Sequence, residues 1–332
     1  MPAFAVQPQR SYLLRIRMAV FTRVAFPDAA ALLSRLQAGE LQNLTGIGSG
    51  IENTNYFAQT SEGQYVVTVF ERLGRAELPF YLGLMQHLAQ RGLPVPRPLA
   101  AHSGELTQTL CGKPAAVTVR LPGAPQLEPT SAQRERVAQT LAELHLAGRD
   151  YPVQQPNPRG LAFWQDNAPW LAPLLPDAER TLLACELHYQ LQLAASAAYE
   201  ALPRGATHGD LFRDNVLFDG ERLSGLLDFY FAATDSFLFD IAVCLNDWCT
   251  APDGSLLSER AAAFVSAYAR VRRLSPLECE LMPACLRAAA LRFWITRLVD
   301  LHRPRDATLL RPHDPAQFQR ILQRRVAEPW QP

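Results

Sequence analysis

Four residues with chemistry-bearing side chains fall close together in the second half of the chain. His208, Asp210 and Asn215 stand in Thr207-His208-Gly209-Asp210-Leu211-Phe212-Arg213-Asp214-Asn215-Val216-Leu217-Phe218, and Asp228 ends the apolar run Gly225-Leu226-Leu227-Asp228. A carboxylate held on a loop can orient a hydroxyl group and receive its proton, which suits Asp210. An amide oxygen and a second carboxylate are hard donors of the kind that hold Mg2+, which suits Asn215 and Asp228. His208 is placed to brace the loop by hydrogen bonding rather than to exchange protons. The chain has only 7 histidines in 332 residues, so His, Asp and Asn at these fixed offsets are an improbable accident.

Loop and strand must hold these groups, and the surrounding pattern supplies both. Residues 206–231 read as a compact β-like stretch between amphipathic helices expected over 131–147, 178–202, 257–273 and 277–302. The first third is mixed. A helix opened by Pro27-Asp28 is expected over 28–38, and the runs around Asn53–Ala58 and Gln64–Phe70 read as an antiparallel hairpin. A helix over 76–91 stops at Gly92, and Val117–Leu121 is a strand ended by Pro122-Gly123. The division is therefore a flexible extension over 1–17, a β-rich lobe over 18–122 and a larger helical lobe over 123–332, with a ligand cleft between the lobes.

The spacing His208-x-Asp210-x4-Asn215, followed by an apolar strand ending in Asp228, resembles the catalytic core of the protein-kinase-like phosphotransferases of the aminoglycoside phosphotransferase type. The resemblance implies an α+β, two-lobed fold with a five-stranded antiparallel sheet and a mainly helical second lobe. It implies ATP and Mg2+, with Asp210 as the base and Asn215 and Asp228 on the metal. Gly46, Gly48, Ser49 and Gly50 are then placed over the nucleotide phosphates, where glycines let backbone N–H groups approach an anion. The adenine is expected against Val67 and Leu217, bonded to the connector backbone from Val119 to Leu121. Thr68 aligns where such folds usually carry a lysine, and Glu77 matches the helix glutamate that would pair with it. Lys113 is the only lysine of the chain and reads as a solvated hairpin-turn residue. The missing lysine leaves a nucleotide-binding pseudokinase regulator as an alternative.

Longer stretches narrow the resemblance. Gly50–Phe57, Leu78–Pro98, Gly112–Gly123, Pro158-Arg159-Gly160-Leu161, Leu227–Asp235 and Asn246-Asp247-Trp248 are similar to the bacterial homoserine kinases of that type. The resemblance covers nearly all of 18–330 and implies phosphorylation of the L-homoserine hydroxyl on the way to threonine. An amino-acid acceptor needs an anion for its ammonium and a guanidinium or amide for its carboxylate. Asn246, Asp247 and Arg292 are the candidates. A sister kinase acting on choline, an aminoglycoside or methylthioribose is the competing reading.

Composition narrows the partners. Lys+Arg and Asp+Glu are both 32, which disfavours a dedicated binder of nucleic acid or anionic membranes. The six cysteines form no CxxC pair, so reduced thiols in a cytoplasmic protein are expected. No apolar run is long enough to span a membrane, and the state expected is a monomer or homodimer.

Overall fold

The computed structural model describes residues 22–48, 52–303 and 313–332. The extension expected over 1–17, and Ser49 and Gly50 of the glycine-rich bend, lie outside the described residues. Helix α1 spans Phe26–Arg35, with Pro27 in the first turn, where its missing N–H is no loss, and Asp28 beside it. It buries Ala29, Leu32 and Leu33 against a sheet whose first strands are β1 (Leu41–Gly46), β2 (Asn53–Thr60) and β3 (Gln64–Phe70). Helix α2 (Leu78–Gln90) follows, and then the hairpin β4 (Gln108–Leu110) and β5 (Lys113–Val119). Cys111 and Gly112 between these strands both have positive φ, 53° and 74°, which matches the right-handed twist of a two-residue hairpin. The five strands form the one antiparallel sheet expected, and its order is β1-β2-β3-β5-β4.

Strand alternation gives this sheet two different faces. Val67, Val69, Ala115 and Val117 pack under α1 in a small core, whereas Phe70 and Ala116 belong to the large core shared with α2 and the helices beyond.

After the short β6 (Ala124–Pro125) the chain is mainly helical. Helix α3 (Ser131–Ala147) starts in a capping box between Thr130 and Gln133, and both of its ends fall where the periodicity predicts. Next come α4 (Leu161–Leu171), α5 (Asp177–Ala194) and α6 (Ala197–Glu200), so the helix expected over 178–202 is broken near Ser196. The β-like stretch resolves into β7 (Arg204–Thr207), β8 (Val216–Asp219) and β9 (Arg222–Leu226), and β10 (Ala233–Ser236) pairs back onto β7. The last helices are α7 (Phe237–Trp248), α8 (Ser258–Ala269), α9 (Pro276–His302) and α10 (Ala316–Ala327). Three of these helices, α4, α7 and α10, have no counterpart among the expected elements. Helix α7 runs through the centre of the helical core with every residue but Asp247 buried, so it has no apolar stripe for a periodicity to detect.

Candidate active site

Strand β7 ends at Thr207 and hands the chain to a loop that carries His208, Gly209, Asp210 and Asn215 before β8 begins. Asp240 on α7 fastens this loop from below. Its buried carboxylate accepts the backbone N–H of His208 at 2.7 Å and of Gly209 at 2.8 Å. Nε2 of buried His145 lies 3.1 Å from the same carboxylate, and its Nδ1 lies 2.7 Å from the Tyr268 hydroxyl. Burial acts to raise the Asp240 carboxyl, but His145 and the loop amides outweigh it and hold the group below its ordinary range. Gly209 has φ +76°, and a Cβ there would meet the Phe231 carbonyl oxygen at 2.5 Å, so only glycine allows the turn.

His208 ties the loop to the strand end that carries Asp228. Its Nδ1 accepts the Asp210 N–H at 3.2 Å, which leaves Nε2 to donate to the Leu227 carbonyl at 2.8 Å, one residue before Asp228. Burial pushes its pKa down from 6.5 to about 4, consistent with a neutral brace. A histidine that stays neutral in the fold and protonates freely when unfolded stabilises the protein fully above pH 6.5. That stabilisation is lost as the pH falls from 6.5 towards 4. The unfolded chain binds the proton there and the native chain does not, a change of about 3 kcal/mol. Buried His145, also held below its ordinary value, adds with the same sign. Asp228, raised to about 6, and Asp210 act with the opposite sign over the same range, so the His208 contribution is read as a difference: the stability of wild type relative to His208→Gln in urea is expected to fall as the pH drops from 6.5 towards 4. A difference independent of pH over this range would remove the neutral-brace assignment.

The carboxylate of Asp210 faces two ways. Oδ2 lies 3.3 Å from Asn215 Nδ2, which also donates to the Asp210 carbonyl at 2.8 Å, and Oδ1 lies 3.6 Å from Arg292 Nη1. Burial drives the Asp210 carboxyl well above its ordinary range, Arg292 opposing it and Asp228 adding to it, which makes it a stronger proton acceptor. With Nδ2 committed to Asp210, Asn215 has its carbonyl oxygen as the atom that could hold a metal ion. Asp228 supplies a second hard oxygen from a left-handed backbone conformation at φ 61° and ψ 63°. It is accessible to solvent at the edge of the site, yet its surroundings and Glu52 push its pKa to about 6. Among the described residues no cluster of three or more His, Cys, Asp or Glu could hold a metal ion by itself. Two oxygen donors suit Mg2+, which keeps water and phosphate oxygens in its shell.

The residues expected around a nucleotide divide. Thr68 lies on the sheet face turned to this loop, its hydroxyl donating to Asn55 Oδ1 at 2.8 Å and meeting the Tyr230 hydroxyl, and Phe70 packs edge-on against Tyr230 at 5.0 Å. Leu121 and Leu217 converge where Gly225 leaves room for both side chains. Gly46 pairs with Tyr56 at the end of β1, and Gly48 stands in the bend beyond it. Val67 is turned away: it is fully buried in the small core under α1, and its neighbour Val66 takes the other face. The N–H of Val119 is committed to the Arg97 carbonyl at 2.9 Å, so a connector donor must come from beyond it. Glu77 closes its own turn by accepting the Gly74 N–H at 2.8 Å rather than reaching β3. Lys113 pairs with Glu71 at 2.5 Å and with Thr22 at 2.9 Å, on the face that carries Ala115 and Val117 under α1, so it cannot take the missing lysine's place.

The residues expected around an acceptor divide as well. Asn246 is 2% exposed, donates to the Leu286 carbonyl at 2.8 Å and accepts from Arg325 at 2.9 Å, so its amide is spent inside the helical core. Asp247 grips Arg213 of the loop through three hydrogen bonds of 2.9 to 3.1 Å, which makes it a positioning residue. Arg292 is 2% exposed; its Nη1 donates to the Gly209 carbonyl, and its guanidinium lies over Phe293 at 4.1 Å. Two groups near the site were not singled out from the sequence. Glu52 acts electrostatically on Asp210 and Asp228, and Arg159 acts on Arg292. The signal available was positional, since both lie in the stretches that carry the family resemblance.

Known proteins place this arrangement. The model of the phosphotransferase enzyme family matches residues 43–274. A homoserine kinase from Polaromonas naphthalenivorans (strain CJ2) is 54% identical over 94% of this chain and 99% of its own length. One from Janthinobacterium sp. (strain Marseille) is 47% identical over 94% and 97%. Among solved structures, an amicoumacin kinase in complex with AMP-PNP and Ca2+ aligns with a TM-score of 0.67 at 16% identity, covering 92% of this chain and 97% of that one. A choline kinase from Streptococcus pneumoniae aligns with a TM-score of 0.65 at 13% identity, covering 91% and 100%. At those identities the structures speak for the two-lobed kinase fold alone, whereas the full-length sequence matches reach further: this chain belongs to the homoserine kinase family of phosphotransferases.

Proposed function

We propose that the protein transfers the γ-phosphate of ATP to the hydroxyl of L-homoserine, with Asp210 as the base. The observation that carries the assignment is the split environment of the Asp210 carboxylate, one oxygen towards Asn215 and the other towards Arg292. The metal and nucleotide belong on the Asn215 side and the acceptor on the Arg292 side. As the hydroxyl oxygen forms its bond to the γ-phosphorus, its proton passes to Asp210 and the bond to the β-phosphate oxygen breaks, releasing ADP. Mg2+ held by Asn215 Oδ1 and Asp228 would neutralise charge on the phosphates. His208 and Asp240 hold the loop in register with Asp228 and leave the proton transfer to Asp210.

The nucleotide lies between the lobes 18–122 and 123–332. Gly46 and Gly48 are near its phosphates, and Val66, Leu121 and Leu217 line the space for the base. Neutral Thr68 stands where a lysine is usual, so the phosphates depend on the metal and backbone amides. Among the described residues no helix is long and apolar enough to cross a membrane, and the enzyme is read as a cytoplasmic monomer or homodimer.

The test is ADP release with Mg-ATP and a panel of L-homoserine, L-serine, choline, methylthioribose and kanamycin. Turnover preferring homoserine, abolished by EDTA and restored by Mg2+, is expected. Preference for another acceptor would discard the substrate and keep the mechanism. ATP binding without turnover of any acceptor would favour a regulator.

A further inference from the structure

The start and the middle of the catalytic loop have separate supports. Asp240 holds His208 and Gly209, whereas Leu211 and Arg213 are held elsewhere on α7: Trp248 Nε1 donates to the Leu211 carbonyl at 2.9 Å, and Asp247 grips Arg213. Between them, the N–H of Phe212 donates to the Asp210 carbonyl at 2.8 Å, and the Phe212 carbonyl accepts the N–H of Asn215 at 3.0 Å. The placement of Asp210 and of Asn215 therefore depends on where Phe212 stands.

The ring of Phe212 packs on two rings from the far end of the chain. Its centroid lies 4.5 Å from that of Phe293 on α9 and 5.9 Å from that of Phe318 on α10, with the planes of Phe212 and Phe318 only 10° apart. Phe293 and Phe318 stack on each other at 4.8 Å, and both are buried. Phe318 is fixed in turn. The Arg297 guanidinium lies 4.5 Å from its centroid, and Arg297 Nη1 donates to the Asp314 carbonyl at 2.9 Å and to Gln317 Oε1 at 2.8 Å, at the start of α10. The other end of α10 is fastened as well: buried Arg325 donates to Asn246 Oδ1 at 2.9 Å, to Thr250 Oγ1 at 2.7 Å and to the Gly254 carbonyl at 3.1 Å. Asn246 adjoins Asp247, which holds Arg213. Helix α10 thus bears on residues 212 and 213 by two routes, although it lies beyond the residues 43–274 that the phosphotransferase family model matches. Stacked rings in a close-packed interior have little room to slide, so a displacement of one is passed to the next.

We propose that Phe318 is a positioning residue for the transfer: through the ring of Phe212 it fixes where Asp210 and Asn215 stand. The proposal rests on the kinase reading above and adds to it a support supplied by α10. Misplacing reacting groups by about 1 Å can cost about 10²-fold in rate, even when the substitution lies away from the chemistry.

The experiment is steady-state kinetics and urea unfolding of the full chain carrying Phe318→Leu, Phe212→Leu, both together, or Leu322→Ala. F318L is expected to lower kcat about tenfold, with KM for ATP and for homoserine changed less than about threefold. F212L is expected to show the same pattern. The double variant is expected to lose no more than F212L alone, because the two rings act as one support. Leu322 is fully buried on the same helix and is not one of the stacked rings. L322A is expected to lower the urea midpoint at least as far as F318L with kcat unchanged, which separates positioning from loss of packing. Phe318→Met, a flexible apolar side chain that fills the space of the ring, takes the place of F318L if that variant does not fold. A wild-type kcat in F318L would overturn the proposal. So would a double variant whose loss is the product of the two single losses, an equal kcat loss in L322A, or a defect carried by either KM. A wild-type enzyme that does not phosphorylate homoserine would overturn the functional reading instead, an outcome distinct from all of these.

Discussion

Asp210→Asn is expected to lower kcat by about 10²- to 10⁴-fold with KM for ATP changed less than threefold. The substitution keeps the shape of the side chain and removes its capacity to take the acceptor proton. The loop around it retains its supports: Asp240 still accepts the His208 and Gly209 amides, Asn215 still donates to the residue's carbonyl, and Arg292 still donates to the Gly209 carbonyl. Part of the rate survives, because phosphoryl transfer depends heavily on positioning and charge neutralisation, which the variant leaves in place. Steady-state kinetics as a function of pH tests this directly. Burial raises the Asp210 carboxyl, so the wild type should lose kcat/KM on the acid side as that group protonates, and the variant should lack this limb. A loss smaller than tenfold would remove Asp210 from the role of base.

Asp240→Ala is expected to destabilise the protein by about 3–5 kcal/mol and to lower kcat as well. The carboxylate is fully buried and serves two backbone N–H groups of the catalytic loop and the ring of His145. Alanine leaves those groups buried without a partner, each at a cost of about 1–3 kcal/mol. Much of a typical folding stability of about 5–15 kcal/mol is then gone. The kinetic effect follows from the same contacts, since His208 and Gly209 flank Asp210 on the loop that Asp240 holds down. Urea unfolding with an unchanged m value and a lower midpoint, together with reduced kcat in the fraction that folds, is the expected pair of results. Asp240→Asn separates volume from charge. It fills the space but turns an NH2 group towards at least one donor, so it should lie between wild type and alanine. A midpoint for D240A within experimental error of wild type would show that the loop stands without this anchor.

Much of the reaction centre could be read from the sequence because its parts are close along the chain. Asp210 and Asn215 share one loop, Asp228 ends the hairpin that follows, and the His208 brace reaches Leu227 across only 19 residues. The bounds of β3 and α3 likewise fall on the expected residues, since β3 follows the turn at Glu62-Gly63 and α3 starts in the Thr130–Gln133 capping box and stops at Gly148. Apolar periodicity failed at α7, whose surfaces are almost all buried, and at α4, where Pro169 lies inside the helix. The expected contact of Val67 with the adenine fails for a related reason, because alternation puts Val66 and Val67 on opposite faces and does not say which face is turned to the loop that carries Asp210.

The partnerships of the charged groups were decided elsewhere. Asp240 meets the loop from 32 residues away and Arg292 from 83, each on a helix whose rotation and depth are set by packing in the core. Asp240, Cys244, Asp247 and Trp248 all touch the catalytic loop, along one side of α7, while Asn246 on another side is bonded to α9 and α10. Adjacent residues 246 and 247 thus have unrelated tasks, a difference of helical angle that composition and spacing do not contain. Residue type and short-range spacing named the candidates for the chemistry, since the proposed proton acceptor and the proposed metal ligands lie in neighbouring turns of one β-rich segment. Which cations and carboxylates stand beside that chemistry, and so what the site can hold, was settled when helices far apart in sequence packed around the loop.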